Sequence, residues 1–272
     1  MSSPTMISIE KLARLIGTPN SPALIDVRND EDFELDPRLI PGSARRSHTD
    51  IRNWRAELTG RSAIIICHHG SKLSHGTAAW LRHEGVPSEV LDGGFEAWAA
   101  AGLPAVPVSK LPKPDPQGRT VWVTRARPKI DRIACPWLIR RFVDPHAVFL
   151  YVTPSEVQAV GERFDAEPFD IEDVFWSHRG ELCTFDVMVE EFGLASEALL
   201  RLATIIRGAD TARLDLAPQA PGLLAASLGL SRIYADDLAQ LEAGMGLYDA
   251  FYRWCRDATD ETHNWPSSKA AA

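Results

Sequence analysis

Two short apolar runs, Ala23-Leu24-Ile25-Asp26-Val27 and Ala63-Ile64-Ile65-Ile66-Cys67, constrain the front of this chain more than any other feature. They are β-branched, uninterrupted and too short for helices, which is how strands covered on both faces of a parallel sheet read. Val90-Leu91 supplies a third such run, and helix-like stretches near residues 8–16, 49–58, 75–84 and 94–101 lie between them. Strands alternating with helices predict α/β layering. The segment Ser109–Gly118 then places three prolines and a glycine in ten residues. That density forbids helix and favours a semi-rigid extended linker.

Past the linker, Arg119–Val123 and Val148–Val152 read as strands and Pro136–Phe142 as a short helix. From Ser196 onward the character is helical. Ser196 precedes Glu197 and an apolar series of Leu199, Leu200, Ala203 and Ile206, the pattern of a capped amphipathic helix. Leu238, Leu241, Met245, Tyr248, Tyr252 and Cys255 mark another stripe, which Gly244 and Gly246 are expected to weaken or kink. The length of 272 residues favours two domains, divided as 1–107, a linker over 108–120, and 121–272.

Composition excludes several classes. Hydrophobic residues make up 45% and charged residues 24%, the balance of a globular chain. No stretch approaches the roughly 18 uncharged apolar residues of a bilayer span, so no membrane partner is expected. The start, Met-Ser-Ser-Pro-Thr-Met-Ile-Ser-Ile-Glu-Lys, meets charge before a leader core develops, and a cytoplasmic location follows as the expectation. There are 11 basic and 13 acidic residues up to Pro107, and 18 and 24 beyond it, for a net charge of −8. Neither part has the basic balance of a dedicated nucleic-acid binder. The four cysteines, Cys67, Cys135, Cys183 and Cys255, form no C-x-x-C pair and read as thiols.

Cys67 stands apart. It ends a buried strand and opens the loop Cys67-His68-His69-Gly70-Ser71-Lys72-Leu73-Ser74, which leads into a helix. The carboxyl end of a parallel strand is where α/β sheets place ligands. Gly70 lets the loop curl so that successive N–H groups point at the sulfur, and the helix adds its positive end. Those donors favour thiolate, the nucleophilic form, and would equally hold a persulfide or an oxyanion. Lys72, His68 and His69 add charge at the rim. The plain alternative is a buried strand cysteine that only packs.

The surrounding segments resemble the rhodanese family. Leu24-Ile25-Asp26-Val27-Arg28 with Phe33 is similar to its opening signature, Ile40-Pro41-Gly42-Ser43-Ala44 to its second motif, and Cys67-x-x-Gly70-x-Lys72 to its active-site loop. Leu91-Asp92-Gly93-Gly94-Phe95-x-x-Trp98, closing with Gly102-Leu103-Pro104, resembles its terminal motif. The resemblance covers nearly all of residues 6–107. It implies an α/β fold, a rhodanese-like parallel five-stranded sheet with flanking helices, in which Cys67 cycles between thiol and persulfide. It also implies a structural Arg28 held near Asp26. Lys72 stands where many members carry arginine, and Leu73 where many carry a hydroxyl; Leu39 replaces the histidine that usually precedes the second motif. Lysine keeps the charge but loses bidentate anion binding. The related C-x5-R phosphatase loop is not matched, because the sixth residue after Cys67 is Leu73.

From about Val121 the chain resembles the C-terminal domain of bacterial chromate-resistance regulatory proteins. The segments that carry this are Asp131–Phe142, Pro168-Phe169-Asp170, His178–Asp186 and Arg207-Gly208-Ala209-Asp210. It implies a second, mixed α+β, helix-rich domain and a role in chromate or sulfur-oxyanion stress. The DNA-binding portion of those regulators is replaced here by the front domain, which argues against direct transcriptional control. Arg125, Arg127, Lys129, Arg132, Arg140 and Arg141 put six cations within 17 positions. Guanidiniums suit a tetrahedral dianion, so Arg125, Arg132, Arg140 and Arg141 are candidate oxyanion ligands; solvated ion pairs are the alternative. His178-x4-Cys183-x2-Asp186, with Cys135 and Asp210 as distant partners, offers ligand types that zinc and similar ions accept. The alternative there is a core histidine beside a packed cysteine. Cys255, Trp137 and Trp176 read first as packing.

These features predict a sulfurtransferase. Cys67 takes sulfane sulfur from a donor of the thiosulfate or polysulfide type and yields it to cyanide, a thiol or a partner protein. Lys72 and the loop amides steady the anionic sulfur, and Ser71, His68 and His69 tune access. No cofactor is needed for that transfer, and a zinc-like ion in the second domain is a separate candidate. The rival class is a non-enzymatic oxyanion- or metal-responsive sensor, and a third is an interaction scaffold.

Overall fold

The computed structural model describes residues 5–262; the outermost parts of the two expected domains, residues 1–4 and 263–272, and with them the first four positions of the leader argument, lie outside the described residues. The front part runs β1 (Met6–Ile7), α1 (Ile9–Leu15), β2 (Ala23–Asp26), α2 (Asp30–Leu35), β3 (Arg38–Leu39), β4 (Ser43–Arg45) and α3 (Ile51–Trp54). It continues with β5 (Ala63–Ile66), α4 (Lys72–His83), β6 (Ser88–Leu91), α5 (Gly94–Ala100) and β7 (Val106–Pro107). Five strands form one sheet in the order β1-β6-β5-β2-β4, and every pairing is parallel. The expected α/β sheet with flanking helices is present. α2 and the short strands β1 and β4 are additions, too brief to show a period in the sequence.

Alternation along β5 sorts the two faces. Ile64 and Ile66 join the core that contains Leu12, Phe95 and Trp98 of α1 and α5. Ile65 and Cys67 face the opposite way, into the cluster with Trp54, Ala78 and Leu81 of α3 and α4. Each such fully buried aliphatic contributes about 1.5–3 kcal/mol over an exposed one, which holds the register that aims Cys67 at α4.

The second part contains β8 (Val121–Arg125), α6 (Asp131–Leu138), β9 (Val148–Val152), α7 (Val157–Phe164), β10 (Glu167–Pro168), α8 (Thr184–Glu191), α9 (Glu197–Asp210), α10 (Ala220–Ile233) and α11 (Asp237–Asp257). A three-stranded sheet, β10-β8-β9, is parallel throughout. The expected short helix at Pro136 instead begins at Asp131 and carries Pro136 inside it. Proline removes the N–H that would reach the carbonyl four residues back, and the Tyr151 hydroxyl donates to that freed Arg132 carbonyl at 2.9 Å. The expected weakening at Gly244 is also absent: α11 is continuous over Asp237–Asp257. A Cβ on Gly244 would lie 2.6 Å from Ile133 Cγ2, so this glycine serves the close approach of α11 to α6. Ser196 caps α9 as expected, accepting from Leu199 N–H at 3.4 Å.

The face of the front sheet bearing α1 and α5 abuts the second part. One apolar cluster runs from Leu12, Ile16 and Trp98 to Phe142, Leu194 and Tyr252, and Gly42 N–H donates to the Phe142 carbonyl at 2.6 Å. The proline-rich stretch is pinned rather than free. Lys110 Nζ lies 2.6 Å from Glu191 Oε2, and Asp115 accepts from the Gln117 and Arg119 amides at 2.9 Å. Among the described residues no helix is long and apolar enough to cross a membrane.

Candidate active site

β5 ends at Ile66 and delivers Cys67 to the carboxyl edge of the sheet. The loop then turns into α4, whose first residue is Lys72. Gly70 has φ +65°, and a Cβ there would lie 2.6 Å from the Leu91 carbonyl and 2.8 Å from the Gly94 amide. Both the backbone angle and the space therefore require glycine. Behind the loop, the Cys67 and His68 carbonyls accept from the Phe95 and Glu96 amides at 2.9 and 3.0 Å. The loop is thus clamped by the start of α5 while its inner side is left for the sulfur.

Cys67 is 4% exposed. The Ser71 N–H donates to its Sγ at 3.2 Å, and Ser74 Oγ lies 3.1 Å away. Ser74 also donates to the Ser71 carbonyl at 2.9 Å. A serine hydroxyl carries one proton and two lone pairs. With a thiol, the Cys67 S–H donates to Ser74 and Ser74 to the carbonyl; with a thiolate, the Ser74 proton turns to the sulfur. One amide and one hydroxyl converge here, where the sequence suggested several amides. Ser74 was not among the expected site residues. Its signal is a hydroxyl one position past Leu73, on the buried side of the first turn of α4.

The other loop residues divide. Lys72 and Ser71 are exposed at the rim, and Leu73 is half-buried. His69 Nδ1 lies 2.8 Å from Glu96 Oε2, while the half-buried His68 has a buried Nδ1 without a partner. Arg28 is committed to the fold, its Nη2 2.6 Å from Asp26 Oδ2 with both side chains buried. It donates further to the Asp36 and Arg38 carbonyls at 2.9 and 2.6 Å, and its guanidinium stacks 3.8 Å from the Phe95 ring centroid. With its side chain 0% exposed, it is shut away from a substrate. Two cations that the sequence reading did not single out are Arg45 and Arg46. They end and follow β4 and, with Ser47, His48 and Thr49, line a cleft of about 410 Å³.

The second part places its expected residues differently. Arg125 and Arg132 lie 3.6 and 3.3 Å from Asp170 Oδ2, Arg140 lies 2.5 Å from Glu242, and Arg141 grips Asp249 through two bonds of 2.8 Å. The four arginines do not converge on a common oxyanion site: Arg125 and Arg132 share Asp170, while Arg140 and Arg141 are drawn to Glu242 and Asp249 on α11. Arg127 is bonded to the Ser231 and Tyr234 carbonyls.

Of the expected metal set, Asp210 reaches His178, whereas Cys135, Cys183 and Asp186 lie outside that group. Asp186 accepts from the Cys183 amide at 3.1 Å and from Arg207 at 2.8 Å, joining α8 to α9. Burial pushes the Cys135 and Cys183 thiols well up. His178 Nε2 instead lies 3.2 Å from Asp210 Oδ2, 3.6 Å from Asp170 Oδ1 and 3.7 Å from Asp131 Oδ2. Contacts with Asp170 and Asp210 raise this imidazole to about 10. Burial, then the charges of Asp210 and Asp170, push the Asp131 carboxyl well above the usual range. Asp131 and Asp170 were not expected; each stands in a segment already noted, but nothing in its spacing joins it to His178. Cys255, Trp137 and Trp176 are buried packing residues.

Comparison with known proteins divides the chain in the same way. Residues 8–101 match the family described as Rhodanese-like domain and residues 122–255 that described as ChrB, C-terminal domain. Protein ChrB of Cupriavidus metallidurans is 35% identical over 155 residues, 56% of this chain and 46% of that protein, so the chain spans about half of that relative. Thiosulfate sulfurtransferase GlpE of Pseudoalteromonas translucida is 34% identical over 80 residues, 29% of this chain and 73% of that protein. Among solved structures, a rhodanese-related protein of Thermoplasma volcanium aligns at 24% identity with a TM-score of 0.33, over 37% of this chain and 96% of that one. A thiosulfate sulfurtransferase from Pseudomonas aeruginosa aligns at 27% identity with a TM-score of 0.35, over 39% of this chain and 20% of that one.

Proposed function

Because the chain belongs to the rhodanese-like family through residues 8–101 and carries a ChrB C-terminal domain over residues 122–255, we propose that it is a sulfurtransferase in which Cys67 carries the sulfur. The observation that carries this reading is the Ser71 N–H directed at Cys67 Sγ at 3.2 Å, with the Ser74 hydroxyl at 3.1 Å. Both can donate to an anionic sulfur at the loop's inner side.

In the first half-reaction the Cys67 thiolate attacks the outer sulfur of a sulfane donor. The new bond is Sγ–S; the donor's S–S bond breaks, and its electron pair leaves with sulfite from thiosulfate or with the shortened chain from a polysulfide. In the second half-reaction a nucleophile such as cyanide or a thiolate attacks the terminal sulfur and returns Cys67 as thiolate. Ser71 N–H and Ser74 hold the charge in each resting state, and the Asp26–Arg28 pair fixes the neighbouring strand end. Exposed Lys72 attracts the anionic donor as a point charge. Without a bidentate guanidinium it suits polysulfides at least as well as thiosulfate. The four free cysteines fit a reducing compartment such as the cytoplasm, and the ChrB C-terminal domain suggests a setting of chromate or sulfur-oxyanion stress.

The test is sulfur turnover from thiosulfate and from polysulfide to cyanide. Cys67→Ala is expected to abolish it with the circular dichroism spectrum unchanged. Turnover equal to that of the unsubstituted protein would refute the assignment.

A further inference from the structure

The cluster around His178 belongs to neither the sulfur site nor the packed core. Its ligand-type atoms, from Asp131, Asp170 and His178, all lie within 4.8 Å of one another, and Asp210 Oδ2 is 3.2 Å from the same imidazole nitrogen. We propose that Asp131, Asp170, His178 and Asp210 bind one divalent first-row metal ion through an oxygen- and nitrogen-only ligand set.

The first argument is charge. Three carboxylates face one imidazole, and Asp131 and Asp170 are buried. Arg132 and Arg125 lie against Asp170, at 3.3 and 3.6 Å, and neither pairs with Asp131. The second is an unmet acceptor. The Asp131 side chain is wholly buried, and its Oδ1 has no hydrogen-bond partner. An orphaned buried acceptor costs about 1–3 kcal/mol, which a cation seated between the carboxylates would remove.

The surrounding bonds fit a supporting shell. Thr184 Oγ1 donates to Asp170 Oδ1 at 2.8 Å and the Phe185 amide to Asp131 Oδ2 at 3.3 Å. Such partners orient carboxylate ligands and raise their affinity. The ligands come from the start of α6, the turn after β10, the connection leading to α8, and the end of α9. Bound metal would therefore tie the small sheet to the helices. His178 is 41% exposed, leaving a way in and one side for solvent.

Ligand type decides the class of ion. Carboxylates suit hard ions and imidazole suits Mn²⁺, Fe²⁺ or Zn²⁺. Cys135 and Cys183 are buried thiols outside the group, so soft ions have no claim on it.

The experiment uses the full chain without a histidine tag, stripped with chelator and dialysed against Mn²⁺ or Zn²⁺. One equivalent per chain is expected, with a higher thermal midpoint. Asp210→Asn and His178→Ala should each weaken retention by at least about 100-fold, the upper range for loss of an outer-shell partner. Uptake by the unsubstituted chain no greater than by these variants overturns the proposal. So does loss of the ion on His68→Ala instead, which would move it to the His68, His69 and Glu96 group. Co²⁺ gives a readout that needs no variant: d–d absorption without a thiolate charge-transfer band is expected, and a thiolate band contradicts the ligand set.

Discussion

The Cys67 loop and the His178 cluster both gather buried reactive groups, the Cys67 sulfur in one and the Asp131 and Asp170 carboxylates in the other, with opposite uses of the chain. At Cys67 the sulfur, its amide donor and its hydroxyl donor fall within eight consecutive residues, 67–74. The local turn creates the site, and the sheet only presents it. At His178 the partners are spread from Asp131 to Asp210, and tertiary packing alone brings their oxygens to within 3.2–3.7 Å of one nitrogen. A site made by a turn can be read from a sequence. A site made by packing leaves scattered residues that look like separate surface charges.

The comparison can be broken at the pair supporting the loop. Arg28→Ala strands a buried Asp26 carboxylate, and removal of one partner of a buried pair costs about 3–5 kcal/mol. Chemical denaturation measures it; a loss below 1 kcal/mol, the scale of an exposed pair, would mean that the strand end is not held this way.

Next in size is Gly70→Ala. The left-handed backbone costs about 1–2 kcal/mol, and contact with the Leu91 carbonyl displaces the turn. A misplacement on the order of 1 Å lowers turnover by about 100-fold. Sulfur transfer should therefore suffer more than stability, and a variant of normal turnover would remove the loop's role in aiming its donors.

The smallest effect lies at the pinned linker. Glu191 is held below the usual carboxylate range first by Arg179 and then by Lys110. A depressed folded value means that this stability is present above the unfolded value, near 4.5, and is lost as pH falls through the lower folded value. Glu191→Gln should flatten that acid limb in a pH-dependent melting series and cost under about 1 kcal/mol at neutral pH. An unchanged limb would detach the linker from this clamp.

What was legible followed the range of the forces involved. β2 and β5 were plain because burial on both faces leaves only apolar β-branched residues. α9 was plain because Ser196 and its apolar spacing are local signals. The true start of α6 was hidden: Pro136 reads as a beginning, and the Tyr151 hydroxyl that takes up the freed Arg132 carbonyl comes from β9. Gly244 read as a flaw because its partner Ile133 lies on another helix. His178 was visible, but the nearby cysteines suggested soft ligands; their complete burial and the convergence of Asp131, Asp170 and Asp210 appear only in three dimensions.

The central claim is that, of the four buried cysteines, Cys67 is the sulfur carrier, because it ends a strand at the sheet edge with both an amide and a hydroxyl donor on its sulfur; Cys183 also accepts from the Asp186 amide, but deep in the core. Burial pushes Cys135 and Cys183 well up and Cys255 to about 11, leaving them as thiols. Peptide mass spectrometry of the native chain after exposure to polysulfide tests this directly. One added sulfur on the Cys67 peptide, and none on the other three, is the predicted result. An unmodified Cys67, or sulfur spread evenly over all four peptides, would contradict it.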